Sequence, residues 1–306
     1  MTHRRAVALM ILVTLMWSIA GVVTRQLDAA RSFEVTFWRS LFNAAALLAA
    51  LRFMRGPALW SDIRRGGRAL WFSAFCWAVM YTNFMVAITL TTVATVLVTM
   101  AIGPLVTAIF SRVFLDHRLP VRTWAAIGVA GVGIAWMFGF HAQAGGASLT
   151  GALVALGVPL AAAANWTLLQ HLHQRHAADP SVEEPQMLPA VLLGALLSAA
   201  VTLPLALPFS ATPHDLSWLA LLGVVQLAIP CLIVVRLTRV LPAPEIALLG
   251  LLEVIFGVLL AWIGADEVPR AATLAGGALV LVALLANEGL ALRERRAREQ
   301  ALALGA

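Results

Sequence analysis

Charged side chains are scarce in this chain of 306 residues. Only 12% of the residues are charged, whereas 61% are hydrophobic, and the mean hydropathy is +0.90. This apolar share is far above that of an ordinary soluble domain. Long polar stretches are lacking as well, so no segment could fold as a separate soluble domain. The composition excludes a typical soluble protein and indicates that the lipid bilayer is the main solvent.

Cysteines and catalytic motifs are also nearly absent. Both cysteines, Cys76 and Cys231, lie inside apolar runs, which excludes a disulfide framework and favours buried free thiols. The sequence contains no hydrolase triad, no H-E-x-x-H pair and no Walker loop. His171, His173 and His176 suggest a metal site at first sight, but they fall in a segment that we interpret as an exposed linker. We therefore expect no enzymatic activity, no cofactor and no metal site.

Ten apolar runs dominate what the sequence does contain. A hydrocarbon core about 30 Å thick requires about 20 residues of helix to cross it. We predict an all-α membrane protein with ten transmembrane helices, the first of them an uncleaved helix, because its run is too long for a signal peptide and no convincing cleavage site follows it. The runs lie near residues 6–24, 33–52, 69–89, 91–114, 121–140, 149–170, 187–208, 217–238, 243–263 and 269–290.

The arginines orient these helices, since lysine is absent and all 21 basic residues are Arg. With the N-terminus inside, 17 of them fall on one face of the membrane, Arg25, Arg31 and Arg270 fall on the other, and Arg39 lies within a helix. This asymmetry follows the positive-inside rule and predicts a multi-pass inner (plasma) membrane protein with both termini in the cytoplasm. The net charge of +6 is explained in this way without a nucleic-acid partner.

Two weakly similar halves are visible along the chain. Trp17 matches Trp166 at an offset of 149, and Thr123 matches Thr273 at an offset of 150. Because five is odd, a second copy of five helices must enter the membrane from the opposite side, and such inverted repeats are typical of transporters with a midplane site. We predict two inverted-topology five-helix repeats, at 1–145 and 146–290, and a basic cytoplasmic tail at 291–306.

Four segments carry a resemblance to a known family: LMWSIAGVVTR (15–25), TFWRSLFNAAALLAAL (36–51), IGPLVTAIFSRVFLDHRLP (102–120) and LLEVIFGVLLAWIGADEVP (251–269). In this order they resemble the ten-helix EamA-type permeases of the drug/metabolite transporter superfamily, over nearly the whole chain. The last segment is similar to the family's Leu-Glu-Pro-x motif and following Gly-Glu, with Glu253 and Glu267 at the glutamates. Val254 replaces the usual proline, and in the first half Gly103 and His117 replace the two glutamates.

This resemblance implies movement of small organic solutes, often export of amino acids from the bacterial cytoplasm, and the aromatic amino-acid exporters are a similar branch. We predict a secondary transporter that works by alternating access and exports amino acids with aromatic or apolar side chains. The alternatives are a broad-specificity drug or metabolite exporter and, from another class, a non-transporting membrane scaffold or receptor. The expected partners are a small-molecule substrate and the lipid bilayer.

Two charged residues stand within the apolar runs. A carboxylate such as Glu253 at mid-helix costs about 2.5–3.5 kcal/mol on insertion scales, so it needs a partner, water or a proton. Glu253 could contact a substrate ammonium group, carry a coupling proton, or stabilise the junction of the repeats. Arg39 could bind a substrate carboxylate. The favoured interpretation is that its guanidinium pairs with Glu34, donates hydrogen bonds to carbonyl groups, or reaches the membrane interface by snorkelling.

Four further residues are candidates for a substrate-binding cavity. Trp17 and Trp166 lie in repeat-related helices beside polar neighbours, which predicts paired aromatic walls, with ordinary helix packing as the alternative. Tyr81, the sole tyrosine, shares a helix face with Trp77 and is the preferred cavity residue of that pair. A proline four residues further along frees the backbone carbonyl of Gln226, which therefore joins the list.

Overall fold

The computed structural model describes the chain except for residues 25, 31, 91–95, 97–98, 117–118, 143–148, 180, 182–184, 266–270 and 305–306. Throughout the part it describes, the secondary structure is helical and no strand occurs. A π-helix, Leu222–Ala228, joins α10 and α11. The α-helices are α1 (His3–Ser18), α2 (Ala20–Thr24), α3 (Ser32–Arg55), α4 (Ala58–Arg65), α5 (Gly67–Leu90), α6 (Gly103–Leu115), α7 (Val121–Ala142), α8 (Leu149–Ala178), α9 (Leu188–Ala206), α10 (Pro213–Leu221), α11 (Ile229–Leu237), α12 (Ala243–Gly250), α13 (Leu252–Ala265) and α14 (Ala271–Leu304).

Helices overlap each of the ten predicted runs. Within the described ranges, five helical stretches are long and apolar enough to cross a membrane: His3–Thr24, Gly67–Ile88, Thr150–Ala178, Leu188–Ala206 and Pro213–Leu237. Shorter apolar helices, including Gly103–Leu115 and Leu274–Asn287, accompany them. The all-helical architecture is confirmed, while the count of ten spans stays a prediction.

Two elements differ from the sequence interpretation. The short helix α4 lies in a connection for which no helix was predicted. Helix α8 continues to Ala178, so His171, His173 and His176 lie on a helix, and their assignment to a loop was wrong. His117, Glu267 and Arg25, Arg31, Arg118 and Arg270, which entered the motif and charge arguments, lie outside the described residues.

The helix that carries Glu253 is broken. Helix α12 ends at Gly250 and α13 begins at Leu252, so Glu253 lies in the first turn of a helix and not in the middle of one, as we had expected. The break is a tight turn in which the Leu251 N–H donates to the Leu248 carbonyl at 3.2 Å. Glycine has a low helix propensity, and Gly250 stands at this turn.

The first half contains an equivalent break. Residues Ala101 and Ile102 form a turn, after which α6 begins at Gly103 with Pro104 in its first turn. A proline there has no N–H to donate and is accommodated best at a helix start. Helices interrupted at corresponding positions in two halves are the arrangement that places backbone ends and side chains at a central site.

The packing of the helices is reciprocal between the halves. Helix α3 packs against α9, and α7 against α14, each pair joining corresponding helices of the two halves. Helix α6 packs against α8, and α13 packs against α1, which is the same contact with the halves exchanged. A pseudo-two-fold relation between two copies of one bundle produces such an exchange.

Small and hydroxylated residues allow the helices around Arg39 to approach closely. The Ser198 hydroxyl of α9 lies 3.0 Å from the Ser40 hydroxyl of α3 and 2.9 Å from the Thr82 hydroxyl of α5. Such interhelical bonds contribute about 0.6 kcal/mol each on average in membranes. A Cβ atom on Gly223 would lie 2.8 Å from the Arg39 carbonyl oxygen, so only glycine lets the π-helix lie against α3. These contacts hold the backbone of α3 close to α9 and to the π-helix.

Candidate substrate-binding site

A cavity of about 170 Å³ lies between the two halves. It has room for on the order of ten water molecules at about 10–15 Å³ each, or for one small organic molecule. Helices from both halves contribute to its wall, including the starts of α6 and α13. All the residues selected from the sequence line it: Trp17, Arg39, Tyr81, Trp166, Gln226 and Glu253.

One wall of the cavity is aromatic. The ring of Trp77 stacks on Tyr81 with centroids 5.6 Å apart and meets Trp166 edge-on at 5.3 Å. Trp77 is buried and its indole N–H has no hydrogen-bond partner in the described part of the chain. Because offset-stacked and edge-on pairs are the favoured geometries, the three rings form a fixed surface for an apolar group. Helices α5 and α8 thus supply one continuous wall.

Arg39 is buried, with 1% of its surface exposed. Its Nη2 donates to the Tyr81 carbonyl oxygen at 2.9 Å, so a carbonyl group is one acceptor, as the sequence interpretation allowed. The proposed acceptor Glu34 is engaged elsewhere, since its carboxylate accepts from the Ser210 and Ala211 N–H groups at 2.8–3.0 Å. The Arg39 Nε has no partner within the described residues. A permanently charged guanidinium therefore borders the cavity, with its Nε buried and without a partner.

Gln226 lies on the π-helix, four residues before Pro230 in α11. Its Nε2 donates to the Trp17 carbonyl oxygen at 3.3 Å, whereas its buried Oε1 accepts from no group that the structure describes. Because Pro230 has no backbone N–H, the regular α-helical hydrogen bonding is interrupted one turn upstream. The backbone forms a π-helix in that turn. Gln226 therefore lines the same cavity as Arg39, although the two partnerless atoms, Gln226 Oε1 and Arg39 Nε, are themselves buried.

Glu253 lines the cavity from the first turn of α13 and is partly exposed there. Glu253 and Arg39 both line the cavity without forming a direct ion pair with each other. Their charges are opposite and both face the space where a substrate could lie.

The cavity also contains residues that the sequence selection omitted, chiefly Trp77 and Cys231. Trp77 had been placed on the face of Tyr81 but was not chosen. Cys231 accepts a hydrogen bond from the Tyr81 hydroxyl at 3.4 Å. The two residues are separated by the repeat offset of 150, so applying that offset to Tyr81 would have identified Cys231. Asn83, on the other face of α5, donates to the Val154 carbonyl and does not line the cavity.

A second polar cluster, formed by Asp28, His214 and Asp215, could by spacing hold a metal ion. The Asp215 carboxylate, however, already accepts from the N–H groups of Asp28 at 2.7 Å and Thr212 at 3.1 Å, and also from those of Ala29 and Ala30. It forms a capping box with Thr212 at the start of α10. The cluster therefore ties the α2–α3 connection to the start of α10 and has a structural role.

The sequence relationships agree with this geometry. The model of the EamA-like transporter family matches residues 4–139 and 149–287. The chain belongs to the EamA-like transporter family. It is thus a multi-pass membrane transporter of small solutes, in a family of transporters and not of enzymes.

Two further comparisons concern individual proteins. No curated protein matches the chain by sequence. A solved structure described only as "Crystal structure of protein" is similar to it, with 19% sequence identity, a TM-score of 0.73, and coverage of 95% of this chain and 99% of that one. Identity this low shows a shared fold and carries no information on substrate.

Proposed function

We propose that this EamA-like transporter exports amino acids with aromatic or apolar side chains from the cytoplasm by alternating access. The observation that carries the proposal is one cavity that combines a buried arginine, a glutamate and an aromatic wall. The placement near the aromatic amino-acid exporters that the sequence suggests is part of the same proposal. The six selected residues act in it as substrate contacts.

The chemistry of an amino acid matches the polar residues of the cavity wall. Its carboxylate accepts hydrogen bonds, and Arg39 is a charged donor on that wall. Its ammonium group donates, and the side chains of Glu253 and Gln226 carry acceptor oxygens on the second half of the chain. The wall of Trp77, Tyr81 and Trp166 then receives the side chain. Few placed polar groups in a mostly apolar pocket are typical of small-molecule sites.

We further propose that the transporter consists of two inverted five-helix repeats, at 1–145 and 146–290, followed by a cytoplasmic basic tail at 291–306. In this arrangement ten helices span the inner membrane and both termini are cytoplasmic. The reciprocal packing of the halves and the two breaks at an offset of 150 support the repeat. Rocking of one repeat against the other would expose the cavity to alternate sides.

Counterflow in proteoliposomes tests the substrate. Proteoliposomes that contain the purified protein are preloaded with an unlabelled amino acid. Uptake of labelled tryptophan, phenylalanine and leucine is then compared with uptake of labelled aspartate, lysine and a lipophilic cation. We expect exchange of the first three and little exchange of aspartate or lysine. Exchange of the lipophilic cation alone would favour the broad-specificity exporter, and no exchange of any solute would favour a scaffold or receptor.

Accessibility labelling tests the inverted topology. Because Cys76 and Cys231 are both buried, single cysteines can be introduced against a quiet background. We expect the Gly145→Cys and Ala265→Cys proteins to react with an impermeant thiol reagent from the same side of the membrane. Reaction from opposite sides would contradict the inverted repeat and, with it, alternating access.

A further inference from the structure

The connection between α3 and α5 presents a positively charged, partly aromatic surface. We call the exposed side chains of residues 52–68 the connector surface. It includes four exposed arginines and two large exposed aromatic rings: Arg52, Phe53, Trp60, Arg64, Arg65 and Arg68. Phe53 is 93% exposed and Trp60 is 53% exposed. None of these residues takes part in the cavity, so the substrate site does not account for the surface.

The connector surface is held in place by the fold. Helix α4 buries Leu59 completely and packs against α3, α5 and α9. Gly56 and Gly67, at its two ends, have positive φ angles of 56° and 57°, which let the chain turn out of α3 and into α5. With Leu59 facing the protein, Trp60 and Arg64 lie one turn apart on the opposite, outward face. The exposed groups are therefore presented by an ordered helix.

The charge of the connector surface is uncompensated. Asp62 is the sole acidic residue of the segment, and it is paired with Arg55 at 2.9 Å. The four exposed arginines have no ion-pair or hydrogen-bond partner among the residues that the structure describes. Arg236 of the second half adds another guanidinium nearby, with its Nη2 3.7 Å from the Met54 sulfur. An anionic partner would find several free donors here.

The position of the surface along the chain indicates which anion it meets. The candidate membrane span Gly67–Ile88 begins immediately after α4, so the connector surface lies at the boundary of the bilayer. Exposed Trp and Phe beside Arg are the combination that sits at headgroup level, with rings toward the acyl chains and guanidinium groups on phosphates.

We propose that the connector surface is a binding site for anionic phospholipids of the adjacent leaflet. Arg52, Arg64, Arg65 and Arg68 bind the lipid phosphates, and Phe53 and Trp60 enter the boundary between headgroups and acyl chains. Basic residues near a membrane surface each strengthen binding to anionic lipid, and guanidinium groups bind phosphate through two parallel hydrogen bonds. The inference does not depend on which solute the cavity accepts.

Titration of the delipidated full-length protein with phosphatidylglycerol or phosphatidylcholine, followed by native mass spectrometry, tests the site. We expect the wild-type protein to retain phosphatidylglycerol preferentially. Replacing the four connector arginines by glutamine should weaken phosphatidylglycerol binding by about 100-fold or more, with phosphatidylcholine binding unchanged. The matched control replaces Arg293, Arg295, Arg296 and Arg298 by glutamine, which removes the same charge from the C-terminal tail.

Three results would overturn the proposal. The first is equal retention of the two lipids by the wild-type protein, which needs no variant. The second is phosphatidylglycerol binding by the connector variant that equals wild type, and the third is an equal loss in the tail variant. The double variant R64Q/R65Q provides a milder change if the fourfold variant does not fold, and we expect it to show about half of the loss on a logarithmic scale.

Discussion

The two halves of the molecule have the same architecture and contribute opposite charges to the cavity. The first half supplies Arg39 together with Trp17, Trp77 and Tyr81, and the second half supplies Glu253 with Gln226 and Trp166. At the two helix breaks the contrast is sharper, because Gly103 of α6 stands where α13 has Glu253. The two halves therefore share a backbone arrangement, whereas the side chains that line the cavity differ. The proposed amino-acid substrate is dipolar, and an asymmetric cavity of this kind is what the proposal requires.

The largest effect is expected for the cation of the first half. Arg39→Ala should lower the transport of amino acids by about 100-fold, because losing one member of a buried charged contact leaves the other unpaired. Amines that lack a carboxylate should be affected much less. Counterflow with matched acid and amine substrates measures the difference, and Arg39→Lys serves as the control that keeps the charge.

A structural role for Arg39 predicts another outcome. If Arg39→Ala fails to insert or express while Arg39→Lys inserts normally, a positively charged donor to the Tyr81 carbonyl stabilises the helix packing, and Arg39 is not a substrate contact. Membrane yield and thermal stability distinguish this outcome from an inactive but folded protein.

The anion of the second half should give the next largest effect. Glu253→Gln keeps a hydrogen-bonding side chain but removes the charge, and we expect transport to fall by about tenfold because charge-assisted hydrogen bonds are roughly twice as strong as neutral ones. If Glu253 also carries a coupling proton, the variant loses the pH dependence of transport. Normal transport with normal pH dependence would exclude both roles.

Moving the carboxylate to the other half tests whether its position matters. A Cβ atom on Gly103 would be 3.7 Å from the Pro159 Cβ, an ordinary contact, so a side chain can be attached there. The double variant G103E/E253Q should not recover wild-type transport, since the carboxylate then lies on the wrong side of the dipolar substrate. Full recovery would show that the charge, and not its place, is what the cavity requires.

A smaller effect is expected for the aromatic wall. Trp77→Phe retains a ring and removes the unpartnered indole N–H, so we expect the affinity for amino acids to fall by about fivefold if that N–H contacts the substrate. The control is Trp71→Phe, because Trp71 is 51% exposed and belongs to the membrane-facing surface. Equal effects of the two substitutions on the KM of counterflow would argue against a substrate contact.

The smallest effect concerns the origin of the two breaks. A Cβ atom added at Gly250 would have no other atom within 4 Å. Gly250→Ala should therefore favour a continuous helix by about 0.5–1 kcal/mol and slow transport by a small factor. Gly103→Ala should change little, because Pro104 keeps the first break in place whatever precedes it. Amide hydrogen exchange at residues 251–255 measures the straightening, and equal responses in both variants would contradict this difference.

The periodic and compositional features of the fold were accessible from the sequence. Ten apolar runs predicted helices where helices occur. The repeat offset of 150 relates Thr123 to Thr273, and it also relates Tyr81 to Cys231. The break before Glu253 was not foreseen, because no proline marks it and a single glycine in an apolar run is common in membrane helices. Helix α4 was missed because eight residues are too few for a spanning pattern.

The candidate site shows a similar division. Its chemistry could be predicted, since a glutamate and an arginine inside apolar runs are expensive and need partners. Which acceptor Arg39 uses could not be predicted, because the sequence left Glu34, unspecified carbonyl groups and snorkelling open. In the structure the Glu34 carboxylate accepts hydrogen bonds from the Ser210 and Ala211 N–H groups, and Arg39 donates to the Tyr81 carbonyl instead.

By itself, the sequence determined that the protein lies in a lipid bilayer, that its fold is all-helical, and which residues are costly to bury. Hydrophobicity and charge decide these properties because they act on each segment independently of its neighbours. Only the tertiary structure decided that these residues line one cavity, which atoms remain without partners, and where the helices break. Those outcomes depend on contacts between helices far apart in the chain, and a close approach such as that of Gly223 to Arg39 has no signature within either segment.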